Sequence, residues 1–111
     1  RDIRVYCTEH ADYFGIDVPC LPYATLDEWG KKIHLYENER AVLLEGHGVL
    51  TFGIEGSKSP LKDAAKNAVV LEEIAHKTFV GEMLRKQELV YMNSDEALNW
   101  HKRFREVYGQ K

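Results

Sequence analysis

Apolar and polar residues follow one another along this chain with a period that changes between its two halves. In the first half the apolar residues form short strand-like runs, of which residues 41–44 and 49–52 are the clearest. In the second half they recur every three or four residues, a spacing typical of helices with one apolar face. The pattern therefore predicts a mixed α and β chain, with strands first and helices after them.

Three helices are predicted from their starting residues. Thr25 precedes two acids, so it is expected to cap a short helix that ends near Lys32. Ser59-Pro60 is expected to open the longest helix, with serine at the cap and proline at the first helical position. Ser94, followed by two acids, predicts the start of a further helix, which is expected to end at Gly109.

The longest helix is expected to bury one apolar face against a sheet. Residues at spacings of three and four define that face, and they are Leu61, Ala64, Ala65, Ala68, Leu71, Ala75, Thr78 and Phe79. On the opposite face, Glu73 and Lys77 lie four residues apart and are expected to form an ion pair.

A histidine flanked by glycines separates the two clearest strand-like runs, in Gly46-His47-Gly48. Glycine on each side removes Cβ bulk and tolerates positive φ, so a ligand can approach the main chain closely. Imidazole binds Zn²⁺ and titrates near neutral pH, so His47 is a candidate metal ligand or general acid/base. A loop histidine in a tight turn fits the same spacing, and spacing does not decide between these interpretations.

A second polar segment follows a short strand predicted from the alternation of Ile3, Val5 and Cys7. Residues 8–13 are expected to form a loop that carries Thr8 and Asp12 just before an aromatic pair. This density of polar side chains suggests a functional site. Capping of a short helical turn by threonine or aspartate remains an alternative interpretation.

Length, charge and cysteine content narrow the class of protein. With 111 residues the chain is expected to form a single domain, and 30% charged with 44% hydrophobic residues is typical of a soluble globular protein. A formal charge of −3 gives no reason to expect a nucleic-acid or membrane partner. The two cysteines are expected to be free thiols and, with no apolar signal segment at the start, a cytoplasmic location is expected.

Several motifs occur together in a recognisable order. The segment A-V-L-L-E-G-H-G-V-L-T-F-G, followed by A-A-K-N-A-V-V-L-E-E-I-A, resembles the second half of the class II aldolase and pentulose-phosphate epimerase superfamily. The segment T-E-H-A-D-Y-F-G-I-D-V-P-C and the terminal Tyr108-Gly109-Gln110 resemble the L-ribulose-5-phosphate 4-epimerase family. Glu9 departs from that motif, because the residue before its histidine is usually threonine.

Another stretch resembles a different branch of the same superfamily. The chain is shorter than the epimerases between Cys20 and Arg40, and its Cys-x-Pro-Tyr-Ala-Thr is more similar to the fuculose-phosphate aldolases. The resemblance implies a three-layer α/β/α fold with a mainly antiparallel sheet, of which residues 1–111 form a C-terminal half. A missing N-terminal half or companion chain would supply the remaining metal ligands and the phosphate-binding loops, in a homotetramer.

The resemblance also implies roles for individual residues. His47 would bind a divalent cation, Zn²⁺ above all, while Asp12 and Tyr108 would act as acid and base on a phosphorylated ketose. Thr8 and His101 would lie near the substrate. The implied activity is the epimerisation of L-ribulose 5-phosphate to D-xylulose 5-phosphate by retro-aldol chemistry, and this half alone is expected to be inactive. A class II aldolase, such as an L-fuculose-phosphate aldolase, and a non-catalytic adducin-like scaffold are the alternatives.

Overall fold

A computed structural model describes residues 1–36, 39–84 and 91–107. The strands are β1 (Ile3–Arg4), β2 (Asp17–Val18), β3 (Cys20–Leu21), β4 (Ala41–Leu44) and β5 (Gly48–Thr51). The helices are α1 (Thr8–Phe14), α2 (Leu26–Lys32), α3 (Pro60–Leu84) and α4 (Ser94–Val107), and a 3-10 turn at Ile33–Tyr36 follows α2. None of the described helices is both long enough and apolar enough to cross a membrane.

Strand β4 lies at the centre of a three-stranded sheet. It pairs in parallel with β3 and antiparallel with β5, and Leu44 faces Gly48 where the β4–β5 hairpin closes. Strands β1 and β2 form a separate antiparallel pair, in which Ile3 faces Val18. Pairing among the described strands is thus mainly antiparallel, as predicted.

The alternation of side chains along β4 divides the core into two layers, because successive residues of a strand point to opposite faces. Ala41 and Leu43 pack with Phe14 of α1 and with Val70, Leu71 and Ile74 of α3. Val42 and Leu44 pack with Trp29 of α2 and with Leu21. Helices therefore cover both faces of the sheet, and the predicted α/β fold with three layers is confirmed.

Helix α3 begins at Pro60 as predicted, but its buried face is rotated from the predicted one and shares Leu71 and Thr78 with it. The buried residues are Asn67, Val70, Leu71, Ile74 and Thr78. Leu61 and Phe79, which were expected in the core, are 84% and 60% exposed. The prediction was wrong because α3 carries apolar residues on two faces, and its own periodicity does not select one.

Two polar contacts fix the rotation of α3 about its axis. The Thr51 hydroxyl donates to the Ala64 carbonyl at 2.8 Å, and the Asn67 side-chain amide donates to the Phe52 carbonyl at 3.0 Å. Both partners lie at the end of β5, far from α3 in sequence. With its rotation fixed in this way, α3 packs on the sheet through the face centred on Ile74.

Helix α1 occupies residues that were predicted to form a loop. Its cap residue is Cys7, without a side-chain cap hydrogen bond, and it ends at Gly15 with φ of 76°. The ion pair predicted between Glu73 and Lys77 is also replaced, because Lys77 bonds instead to Glu9 of α1 at 3.0 Å. Packing against α3 and α4 makes this segment helical despite its polar sequence.

The other two helix starts agree more closely with the sequence. Thr25 and Glu28 form a reciprocal capping box, and Trp29 of this helix is buried. The cap of helix α4 is Asn93 rather than the predicted Ser94, because the Asn93 side chain accepts from the Asp95 N–H at 2.8 Å. The helix therefore begins at Ser94. Its expected end at Gly109 lies outside the described residues.

Candidate functional site

His47 lies in the turn of the β4–β5 hairpin with its side chain exposed. Its N–H donates to the Leu44 carbonyl at 2.9 Å, which holds the turn closed. Gly46 has φ of 70°, a left-handed conformation that favours glycine, and a Cβ there would lie 3.3 Å from the ring of the exposed Tyr23. The sequence Gly-His-Gly therefore produces a tight turn that leaves the imidazole accessible.

The His47 ring lies beside Trp29, with 5.3 Å between the ring centroids and an angle of 52° between the ring planes. Trp29 is itself fixed, because its indole N–H donates to the Pro22 carbonyl at 3.1 Å. The turn is also attached to the same segment, since Glu45 accepts from the Tyr23 N–H at 3.0 Å. His47 is thus an exposed imidazole that packs beside a tryptophan held in place by its own hydrogen bond.

The residues fit one ligand of a metal site and not a complete one. Imidazole is a common Zn²⁺ ligand, and His47 is accessible. Among the described residues, no three histidine, cysteine, aspartate or glutamate side chains come together as a metal-ligand group. Any metal held by His47 would therefore need donors from outside this part of the chain.

Thr8 and Asp12 lie on α1, four residues apart and hence on neighbouring positions of one helix face. Thr8 is exposed and Asp12 is half-buried. The Asp12 Oδ1 atom is buried and has no hydrogen-bond partner among the described residues. Burial raises the pKa of the Asp12 carboxyl, and the negative charge of Glu9 raises it further. A carboxyl with a raised pKa is suited to giving and taking protons.

His101 of α4 contacts the segment that carries Asp12. Its Nδ1 lies 2.8 Å from the Asp12 carbonyl oxygen and 3.1 Å from the Ala11 carbonyl oxygen. Because both partners are acceptors, Nδ1 carries the proton. Burial lowers the pKa of this imidazole, so the neutral ring is favoured. The structure thus brings His101 to the backbone of Asp12, and this contact orients the end of α1.

The predicted site residues fall into two places. His47 lies beside Trp29, in the layer that contains α2. Asp12 and His101 lie where α1 meets α4, in the layer that packs on the other face of β4. Tyr108 lies outside the described residues. The roles of Thr8, Asp12, His47, His101 and Tyr108 remain predictions.

Sequence reasoning did not single out two buried side chains near these residues. His10 is fully buried and neither ring nitrogen has a partner among the described residues. Arg40 is only 8% exposed. Its one sequence signal is its position directly before the buried strand β4.

Acid is expected to destabilise the protein through His10. Burial lowers the pKa of His10 from 6.5 to about 4, so the folded state binds its proton only below about pH 4, while the unfolded state binds it below 6.5. The contribution of His10 to stability is therefore fully present above pH 6.5 and is lost as the pH falls towards 4. Because of His10, we expect the unfolding free energy to fall by about 2 kcal/mol between pH 7 and pH 5. Urea denaturation at the two pH values measures this change.

The variant His10→Leu isolates this effect, because it removes the buried ionisable group. Its unfolding free energy is expected to fall less steeply between pH 7 and 5 than that of the wild type. His76→Leu is the matched control, since His76 is exposed on α3 and its loss should leave the slope unchanged. Equal slopes for His10→Leu and the wild type would show that folding does not lower the pKa of His10.

Comparison with known families gives one match. The family model described as Class II Aldolase and Adducin N-terminal domain matches residues 1–79. This range contains Thr8, Asp12 and His47 and ends within α3, before His101. No curated protein matches the chain.

Proposed function

The chain belongs to the class II aldolase and adducin family, and from that premise we propose that it is a sugar-phosphate 4-epimerase acting on L-ribulose 5-phosphate. The observation that carries the proposal is the exposed His47 imidazole, held in a turn where Gly46 has a left-handed φ and packed beside Trp29. A histidine presented in this way is available to a ligand on its open side. The second support is Asp12, whose raised pKa suits proton transfer.

His47 would hold a divalent cation, most readily Zn²⁺, together with donors from outside the described residues. When bound, such a cation supplies Lewis-acid stabilisation of the negative charge that develops on a ketose as a carbon–carbon bond breaks. His47 would contribute one ligand, through a ring nitrogen of an imidazole that is exposed and packed beside Trp29.

Asp12 would move the proton of the C4 hydroxyl. When the C3–C4 bond breaks, this hydroxyl loses its proton as C4 becomes an aldehyde, and it regains a proton when the aldehyde adds back from its other face. Inversion at C4 therefore needs two proton-transferring groups on opposite sides of that oxygen. Asp12 is one, and we propose Tyr108 as the other. Thr8, one helical turn before Asp12, would donate a hydrogen bond to the sugar.

We further propose that the complete site forms between subunits. His47 and Asp12 lie in different layers of the described fold, so one copy of the chain need not bring them to the same substrate. In a homotetramer, His47 of one copy would face Asp12 of the next, and an N-terminal half or companion chain would complete the metal ligands. A cytoplasmic location belongs to the same proposal.

The experiment that tests this proposal is a product assay on the assembled protein with Zn²⁺. An epimerase converts L-ribulose 5-phosphate to D-xylulose 5-phosphate, and we expect this product. Cleavage of L-fuculose 1-phosphate would instead identify an aldolase, the branch that the Cys-x-Pro-Tyr-Ala-Thr segment resembles. Absence of both reactions, together with no stoichiometric metal in the purified assembly, would contradict the enzymatic proposal and leave a scaffold.

A further inference from the structure

The imidazole of His101 lies at the end of α1, a helix that stops at Gly15. The last carbonyl groups of a helix have no donor within the helix, so other groups must bond to them. The Ala11 carbonyl accepts from the Gly15 N–H at 3.0 Å, and Nδ1 of His101 lies 3.1 Å from the same oxygen. The Asp12 carbonyl oxygen lies nearer to Nδ1, at 2.8 Å. The His101 N–H therefore bonds chiefly to the residue whose carboxyl is the proposed acid/base.

Packing between α1 and α4 holds the His101 ring at this helix end. A Cβ on Gly15 would lie 4.0 Å from ring carbons Cγ and Cδ2 of His101, so the ring lies against this turn. On α4, Ala97 and Phe104 lie four residues before His101 and three after it, on the same face. Ala97 packs in a buried cluster with a residue of α1, and the Phe104 ring centroid lies 5.0 Å from that of Tyr13. His101 is thus the polar member of the face that docks on α1.

The Asp12 carboxyl depends on its backbone for orientation. Its Oδ1 atom is buried and has no hydrogen-bond partner among the described residues, so no bond to Oδ1 fixes the side chain. A proton-transferring group must lie within hydrogen-bond reach of the reacting oxygen, and a misplacement of about 1 Å can cost about 10²-fold in rate. A contact that holds the Asp12 backbone therefore affects what its carboxyl can do.

The hydrogen bond to α1 also limits what the other ring nitrogen can do. Burial lowers the pKa of His101, so the ring is neutral and only one of its nitrogens carries a proton. Because Nδ1 uses that proton on carbonyl oxygens, Nε2 has none to donate. A substrate contact through Nε2 would be limited to accepting a hydrogen bond.

We propose that His101 is a positioning residue, whose Nδ1–H bond to the Asp12 carbonyl holds the proposed acid/base carboxyl in place. The inference rests on the proposed role of Asp12 and deepens it, because it gives α4 a task in the same reaction. The role predicted from the sequence, direct contact with the substrate, would use Nε2 instead. The two roles therefore depend on different nitrogens of one ring.

Amide side chains separate the two nitrogens. Asparagine can place an N–H close to the position of Nδ1, whereas the amide of glutamine reaches the position of Nε2. We expect His101→Asn to keep kcat for L-ribulose 5-phosphate within about threefold of the wild type, measured on the assembled protein with Zn²⁺. His101→Gln and His101→Leu should lower kcat by about tenfold or more with KM unchanged. Activity that is retained by His101→Gln and lost by His101→Asn, or a raised KM in all three variants, would overturn the inference and assign a substrate contact.

A measurement without substrate separates this inference from the epimerase proposal. The side-chain carboxyl carbon of Asp12, followed by NMR as the pH is varied, reports a pKa that burial raises and the charge of Glu9 raises further. We expect this pKa to move down towards its ordinary value in His101→Leu, because a released carboxyl becomes more exposed, and to return in His101→Asn. An unchanged Asp12 titration in His101→Leu would overturn the inference. The expected shifts in a protein without epimerase activity would refute only the proposed reaction.

Phe104→Leu is the matched control on the same face of α4. Its ring packs on Tyr13 and offers no hydrogen-bond donor, so the change weakens the docking of α4 without removing the His101 bond. We expect a lower urea midpoint, while kcat and the Asp12 titration stay as in the wild type. If Phe104→Leu altered the Asp12 titration as much as His101→Leu, general packing of α4 would hold Asp12, and the role assigned to the His101 hydrogen bond would be wrong.

Discussion

Replacement of His47 by glutamine is expected to lower the rate of ketose-phosphate epimerisation by about 10³-fold or more. The change removes the proposed metal ligand, and even an outer-shell partner of a ligand is worth about 10- to 100-fold in metal affinity or activity. Because the side chain is exposed, the unfolding free energy should change by less than about 0.5 kcal/mol. The measurements are kcat with Zn²⁺, the bound metal per chain, and a urea denaturation curve.

His34→Gln is the control for this experiment. His34 is also exposed, in the 3-10 turn that follows α2, and the proposal gives it no role. Its substitution should leave metal content and kcat unchanged. If His47→Gln kept both its metal and its rate, the proposed metal ligand would be wrong, and the glycine-flanked histidine would be only a residue of a tight turn.

Ile74→Ala is expected to destabilise the protein by about 3 kcal/mol, within the usual range for isoleucine-to-alanine changes in a core. Ile74 is completely buried and packs in the cluster that joins α3 to Phe14, Val18 and Ala41. Truncation removes several methyl groups and leaves a cavity that the surrounding helices and sheet fill only in part. The measurement is the unfolding free energy from urea denaturation at pH 7.

Val69→Ala provides a matched substitution on the opposite side of the same helix. Val69 is 61% exposed, so the change is expected to cost less than about 0.5 kcal/mol. A larger loss for Val69→Ala than for Ile74→Ala would mean that α3 does not pack on the sheet through the face centred on Ile74. The pair of variants therefore tests the rotation of α3 directly.

Features that depend on neighbouring residues could be predicted from the sequence. The capping box of Thr25 and Glu28 is complete within four residues, and the β4–β5 hairpin is defined by two apolar runs around a glycine pair. The start of α3 at Pro60 is equally local, because it follows from the fixed φ of proline. The tight turn before His47 belongs to this class, since the φ of 70° at Gly46 favours glycine.

Features that depend on distant partners could not be predicted. The rotation of α3 is fixed by carbonyl and hydroxyl groups of Thr51, Phe52 and Ala64, which no periodicity within the helix reveals. Residues 8–14 are helical because α3 and α4 pack on them, although their polar sequence indicated a loop. The separation of His47 from Asp12 and His101 could not be predicted for the same reason. The face of the sheet on which each loop or helix packs depends on the whole sheet.

The contact between His101 and Asp12 has a consequence for the order in which the protein forms. The two residues are 89 positions apart in sequence, whereas His47 lies in a hairpin whose partners are a few residues away. Contacts across long separations form late, because a large loop must close first. During synthesis the hairpin that presents the His47 imidazole can therefore form early, while the contact between His101 and the Asp12 backbone forms only after α4 has emerged and docked.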